Sequence, residues 1–320
     1  MKNENRISAS SPNSLDGYMA ASKLSAWFQA IRLRTLPLAT ASILLGNLIA
    51  FKSAGFSWAV AILSYITAIF LQILSNLAND YGDTKHGADN VERIGPKRMT
   101  QAGLLSAASI KAGIFVFIVL SLLSGSLLLF LALKNITYTG LISLFILGLI
   151  SIAAAVAYTA TKKPYGYRGL GDISVFIFFG LLSVFGCYFL QTGEVDPVIF
   201  FPAAGMGLLC TAVLNINNIR DIESDRKAGK KTVALQLEEK GAKLYQWSLI
   251  VIAILLFSVF FLIKNTHSFS LLFLLPYLLL LLNTYKVWKS KSSIELNPRL
   301  KQLAISILLF SVSYSIGLNY

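Results

Sequence analysis

The sequence predicts an all-α integral membrane protein, with nine transmembrane helices around a central cavity and the N-terminus in the cytoplasm. Three observations carry that prediction. The chain is 55% hydrophobic and only 13% charged, against roughly 25% charged in soluble domains. Its mean hydropathy is +0.66. Apolar runs near twenty residues recur along its length, each long enough to cross a bilayer. Unpaired backbone polar groups are too costly in lipid, so runs of this length are helices. They do not alternate apolar with polar residues, which excludes a transmembrane barrel.

Taken in order, residues 1–25 are polar and lack the apolar core of a cleavable signal peptide, so they read as a disordered lead-in. Residues 26–320 read as one membrane domain. Its apolar runs fall at about 36–53, 57–78, 112–133, 138–160, 173–191, 197–217, 244–264, 268–285 and 302–318. Most connections are short, but 80–111 and 218–243 are long and polar. Long ordered loops are where function concentrates. Cys187 and Cys210 both fall in apolar runs, without metal or disulfide spacing, and read as buried free thiols.

The net charge of +13 raises the possibility of a nucleic-acid partner. Its distribution argues against one. Twenty-five of the 28 Lys and Arg residues lie before the first run or in segments 80–111, 161–172, 218–243 and 286–301. Nine crossings put all five segments on one side, and the positive-inside rule makes that side cytoplasmic. Lys52, Lys134 and Lys264 lie at the opposite ends. The charge therefore orients the chain in the plasma membrane (in bacteria, the inner membrane) and meets lipid headgroups. No obligate protein partner is evident.

The two long loops open alike, as NLANDYGD (76–83) and NINNIRDIESD (215–225). This is a faint internal repeat that suggests one acidic cluster from each half of the molecule. On a helix Asn76, Asp80 and Asp83 share one face, as do Asn217 or Asn218, Asp221 and Asp225. Three readings compete. The acids could be solvated helix ends. They could line a cation path, though no acid sits at the middle of a run. Or they could hold Mg²⁺, which takes oxygen ligands and binds through one or two carboxylates plus substrate phosphates. Neighbouring cations favour the last: Arg93, Lys97 and Arg98 follow the first cluster, and Arg226, Lys227, Lys230 and Lys231 the second. Arg220 lies within the second cluster, and segment 161–172 adds Lys162, Lys163 and Arg168. Acids and bases together suit a phosphate met by metal and by Arg or Lys. In a membrane that phosphate belongs to a lipid diphosphate, with the site facing the cytoplasm.

Four stretches give a closer likeness: IRLRTLPLATASILLGN (31–47), NLANDYGDTKHGADNVERIGPKRMTQAG (76–103), AYTATKKPYGYRGLGD (157–172) and NINNIRDIESDRKAGKKTVA (215–234). With these the chain resembles the UbiA-type membrane prenyltransferases, most closely the MenA branch that prenylates 1,4-dihydroxy-2-naphthoate in menaquinone synthesis. The resemblance implies that Asn76, Asp80 and Asp83 form one metal–diphosphate motif and that Asp221 and Asp225, with Asn218, form the other. The four Asp residues would be catalytic and would hold Mg²⁺ with Asn76. Arg32, Arg93 and Lys162 would contact the diphosphate, Tyr158 would be a pocket tyrosine, and Arg220 would join them in binding substrate. The implied substrates are an all-trans polyprenyl diphosphate and an aromatic acceptor. Gly87 stands where many members of the superfamily carry a further Asp, and Asp89 comes two residues later. His86 and His267 read as loop residues. Two alternatives stay open: another aromatic acceptor such as 4-hydroxybenzoate, or a cation-coupled transporter.

Overall fold

Short polar caps, more than the edges of the apolar runs, set where the helices begin. The computed structural model describes residues 23–87, 98–264 and 274–319. Within it Ser57, Ser106, Thr137 and Thr232 each accept a hydrogen bond from the backbone N–H three residues on, opening four of the long helices. In chain order the helices are α1 (23–31), α2 (Leu36–Ile49), α3 (Trp58–Lys85), α4 (Ala107–Ala132) and α5 (Tyr138–Ala157). There follow α6 (Gly171–Thr192), α7 (Phe200–Arg220), α8 (Ile222–Lys227), α9 (Val233–Ile263), α10 (Leu274–Lys289) and α11 (Leu296–Asn319). No strand occurs among the described residues.

Seven of these helices are long and apolar enough to cross a membrane, and the chain is an integral membrane protein. Of the other two apolar runs, one forms the shorter α2 of 14 residues, and the other is described from Leu274 onward, as the 16 residues of α10. Several helices outrun the apolar stretches that announced them. Helix α3 continues past 78 to Lys85, α9 starts at Val233 and not 244, and α11 starts at Leu296 and not 302. Hydropathy falls where a helix leaves lipid, but backbone hydrogen bonding continues into the polar layer. The two long loops are therefore shorter than the sequence suggests. Glu238, at φ 57° and ψ 174°, kinks α9 within this polar extension. Helix α1 is helical from residue 23 and buries Ala26 and Ala30.

Helix α7 lies at the centre, packed against α6, α9 and α11. It is rich in small residues, which let membrane helices approach closely. At the α6–α7 crossing a Cβ on Gly180 would stand 2.5 Å from the Cα of Gly207. Helix α6 is wound as a π-helix over Phe176–Phe185, a rare geometry that frequently marks functional sites. Helix α5 is different in kind. It packs on α3 and α4 and buries none of its residues.

At the end of the bundle opposite Asp80 and Asp83, a polar knot ties three helices. Gln191 donates to Asn47 Oδ1 at 2.7 Å and accepts from the Ser57 N–H at 2.8 Å, and Asn47 donates to Ser64 at 3.1 Å. Asn135 donates to the carbonyls of Gly55 and Gln191, both at 2.8 Å. Replacing fully buried Gln191 by Leu leaves the Asn47 and Ser57 groups unsatisfied. We expect a loss of roughly 1–3 kcal/mol, read as a lower unfolding midpoint in detergent. An unchanged midpoint would show that the knot contributes nothing to stability.

Candidate active site

The acids of the two halves meet at one mouth. Asp83 stands near the C-terminal end of α3, Asp221 caps the junction of α7 and α8, and Asp225 lies in α8. Lys230 spans the halves: its Nζ lies 3.1 Å from Asp225 Oδ1 and 3.8 Å from Asp83 Oδ1. The loops behind it are sewn together, because the Lys231 N–H donates to the Tyr167 carbonyl at 2.8 Å. The Tyr167 hydroxyl donates to Asp83 at 2.7 Å, and Arg98 pairs with the other Asp83 oxygen. On the far side Arg220 grips both oxygens of Asp221, at 2.8 and 2.6 Å, and reaches Asn217 at 2.8 Å.

Below this mouth lies a cavity of about 850 Å³. Its upper wall is polar, with Arg32, Asn76, Asn79, Asn218 and the acids Asp83, Asp221 and Asp225. Its lower wall is apolar, built from residues such as Leu128, Leu144, Phe145, Phe178 and Leu182. The arrangement suits a molecule with a polyanionic head and a long hydrocarbon body.

The residues singled out in the sequence are divided by the structure. Asp83, Asp221, Asp225, Asn76, Asn218, Arg32, Arg220 and Tyr158 all line the cavity. Asp80 does not. Its carboxylate accepts from the Met99 N–H at 3.2 Å and from the Thr100 hydroxyl, so it anchors the 98–100 turn. The cavity face of α3 runs through Gln72, Ser75, Asn76, Asn79 and Asp83, a helical stripe with Asp80 beside it. The Asn76 amide is also committed, donating to the Ile31 carbonyl at 2.8 Å and to Thr35 at 3.1 Å. It holds the turn where Arg32 adopts the left-handed φ of 56°. Few non-glycine residues accept that conformation, and it is a recurrent feature of functional sites. Lys162 is exposed and lies outside the cavity wall. Arg93 and Asp89 fall outside the described residues.

Tyr158 is clamped. Its ring meets Tyr165 edge-on, with centroids 5.3 Å apart. A Cβ on Gly166 would stand 2.9 Å from the ring, and one on Gly171 would stand 2.7 Å from the hydroxyl. Both glycines belong to the YGYRGLG stretch, so the missing side chains of this loop decide where the phenol sits.

Sequence reasoning passed over Asn79, Tyr167 and the bridging position of Lys230. Asn79 had a signal, since it falls i+3 from Asn76 and i−4 from Asp83. Tyr167 had none beyond its place in the loop.

The donor set fits a hard divalent cation. Among the described residues no three acidic, His or Cys side chains converge to form a closed metal cage. Mg²⁺ does not need one, because substrate phosphates supply its remaining oxygens. Burial pushes the Asp225 carboxyl up; Lys230 opposes this, and the charges of Asp221 and Asp83 add to it. A divalent cation at these acids would relieve that repulsion more fully than a single ammonium does.

Sequence and fold comparisons identify the family and the fold. The profile of the UbiA prenyltransferase family matches residues 39–318. The chain is 44% identical over 302 residues to the 1,4-dihydroxy-2-naphthoate octaprenyltransferase of Haemophilus influenzae, covering 94% of this chain and 97% of that one. It is 41% identical to the enzyme of the same name from Escherichia coli, covering 93% and 96%. Among solved structures, a UbiA homolog from Aeropyrum pernix K1 without ligand superposes with a TM-score of 0.67 at 19% identity, covering 89% of this chain and 97% of that one. A UbiA homolog from Archaeoglobus fulgidus bound to GPP and Mg²⁺ gives 0.62 at 18% identity, covering 92% and 100%. These structural likenesses carry the fold, while the profile and the sequence relatives carry the family. The chain belongs to the UbiA prenyltransferase family.

Proposed function

We propose that the protein transfers a polyprenyl group from an all-trans polyprenyl diphosphate to 1,4-dihydroxy-2-naphthoate. Diphosphate and CO₂ are released, and the product is demethylmenaquinol, the hydroquinone that later oxidation converts to demethylmenaquinone, a step of menaquinone biosynthesis. One observation carries the chemical half of this reading. Acids more than a hundred residues apart in the chain face one ammonium at the polar mouth of an apolar cavity. The acceptor half rests on the names of the relatives at 41–44% identity.

The chain's own residues divide the work. Asp83 and Asp225, with Asp221 and Asn218 beside them, would hold Mg²⁺, which withdraws charge from the diphosphate and makes it a better leaving group. Arg32 and Lys230 meet the remaining diphosphate charge. Asp80 acts one step back, by fixing the turn that carries Arg98 to Asp83. The apolar wall receives the prenyl chain and keeps water from the allylic carbon, whose developing positive charge the phenol ring of Tyr158 faces. The acceptor enters as the electron-rich partner, so the protein contributes chiefly positioning and electrostatics.

The same reading places residues 26–320 in one domain of nine crossings, which adds α2 and α10 to the seven long helices. The mouth then faces the cytoplasm of the plasma membrane. The alternatives, another aromatic acceptor or a transporter, are not favoured: no acid sits midway along a spanning helix, and the relatives share one acceptor name. A membrane assay with Mg²⁺, a polyprenyl diphosphate and either dihydroxynaphthoate or 4-hydroxybenzoate tests the assignment. Prenylated naphthohydroquinone, read as its quinone after oxidation in air, is expected from the first acceptor; turnover of the second alone would overturn it. Chelation of divalent cations should abolish product, with recovery on adding Mg²⁺.

A further inference from the structure

Lys230 occupies an unusual place for a lysine of the positive-inside layer. Such lysines are ordinarily mobile and point to headgroups or water. This one has 17% side-chain exposure and is built in from several sides. Its ammonium faces carboxylates from both halves of the molecule, at 3.1 and 3.8 Å. It lies 4.8 Å from the centroid of the Tyr167 ring, whose hydroxyl holds the same Asp83. Its backbone N–H donates to the Asp225 carbonyl at 3.0 Å, and the next N–H donates to the Tyr167 carbonyl at 2.8 Å. The chain therefore delivers one positive charge to the point between Asp83 and Asp225.

We infer that Lys230 is the resident counter-ion of the metal site: it holds the two acidic motifs together in the free protein, yields its place to the divalent cation, and then binds the diphosphate. This rests on the metal reading above. The physical argument is one of exclusion. A cation that binds oxygens of both Asp83 and Asp225 must lie between them, where the ammonium now lies. Two positive charges do not share that space. The lysine stem is long and flexible, and its partial exposure gives the head a way out toward the mouth, where the anionic end of the donor enters. Metal and lysine therefore compete in the free protein and cooperate once diphosphate is bound. That coupling favours metal loading together with the donor over metal loading alone.

The test uses the purified full chain in detergent. Mn²⁺ is titrated by electron paramagnetic resonance, with and without a donor analogue that cannot ionise, geranyl S-thiolodiphosphate. Lys230→Met should bind Mn²⁺ about tenfold more tightly than the unsubstituted protein when the analogue is absent, and bind the analogue about tenfold more weakly when Mn²⁺ is present. Lys230→Arg keeps the charge and should keep Mn²⁺ affinity near the starting value. Lys230→Gln repeats the comparison should the Met variant fail to fold, judged by size exclusion and unfolding midpoint. Lys231→Met controls for charge alone, because Lys231 is exposed on the same loop. Unchanged or weaker Mn²⁺ binding on loss of Lys230, or equal tightening in Lys231→Met, would overturn the inference and leave the metal reading standing. No Mn²⁺ binding by the unsubstituted protein, with or without the analogue, would overturn both.

Discussion

Asp83→Asn and Asp225→Asn are each expected to lower turnover about 10²–10³-fold, the range for removing one preorganised electrostatic group from a reaction centre. Both substitutions keep the shape of the side chain and remove its charge. Asp83 is the stronger case, because it receives Arg98, Tyr167 and Lys230 together and sits at the head of the cavity. The measurement is product formation by membranes containing equal amounts of each protein, with insertion checked independently. Asp80→Asn provides the contrast. The amide oxygen can still accept from the Met99 N–H while the amide nitrogen donates to the Thr100 hydroxyl, so this variant should lose much less activity than Asp83→Asn. Asp80→Ala, which frees the 98–100 turn, should lose more than Asp80→Asn. Equal loss in Asp80→Asn and Asp83→Asn would mean that Asp80 turns into the site when ligands bind, and that its role as an anchor is wrong.

The second large effect is expected from a methyl group. Gly171→Ala would place a Cβ 2.7 Å from the Tyr158 hydroxyl, whereas its next contacts, Leu214 and the ring carbon, are ordinary at 3.5 and 3.6 Å. The hydroxyl must therefore move, and displacement of a positioned group by about 1 Å can cost roughly 10²-fold in rate. Tyr158→Phe removes the atom that clashes. Adding Gly171→Ala to Tyr158→Phe should then cost almost nothing further, so the two substitutions are strongly non-additive. Additive losses in the double variant would show that Gly171 serves the loop backbone and does not place Tyr158.

These two predictions mark what the sequence made legible and what it did not. The all-helical class follows from run length, because backbone hydrogen bonds have no other partner in lipid. Helix ends do not: α3, α9 and α11 continue into the polar layer, where hydropathy carries no signal. The meeting of Asp83 with Asp225 was readable as two carboxylate motifs of like spacing. The separation of Asp80 from them was not. A periodicity of 3.6 puts residues 76, 80 and 83 near one face and 76, 79 and 83 equally near it. Only the packing of the 98–100 turn against α3 decides between them. Lys230 was hidden for another reason, being one of 25 basic residues that the positive-inside rule already explained. Gly171 carried no chemistry of its own, and its importance lies in the atom it lacks.

The unburied state of α5 has a mechanical consequence. The α6–α7 seam closes backbone to backbone at Gly180 and Gly207, and the Gln191 knot pins the far end of α6 to α2 and α3. That side of the cavity is stiff. Across from it stands a helix with no buried residue, although Leu144, Phe145 and Gly148 form part of the cavity wall. Displacing α5 exchanges protein contact for lipid contact and exposes no core to water. Local opening is cheapest where few buried contacts are lost. The cavity is thus a rigid cradle with one compliant flank, and that flank faces the phase in which both the donor and the finished quinol dissolve.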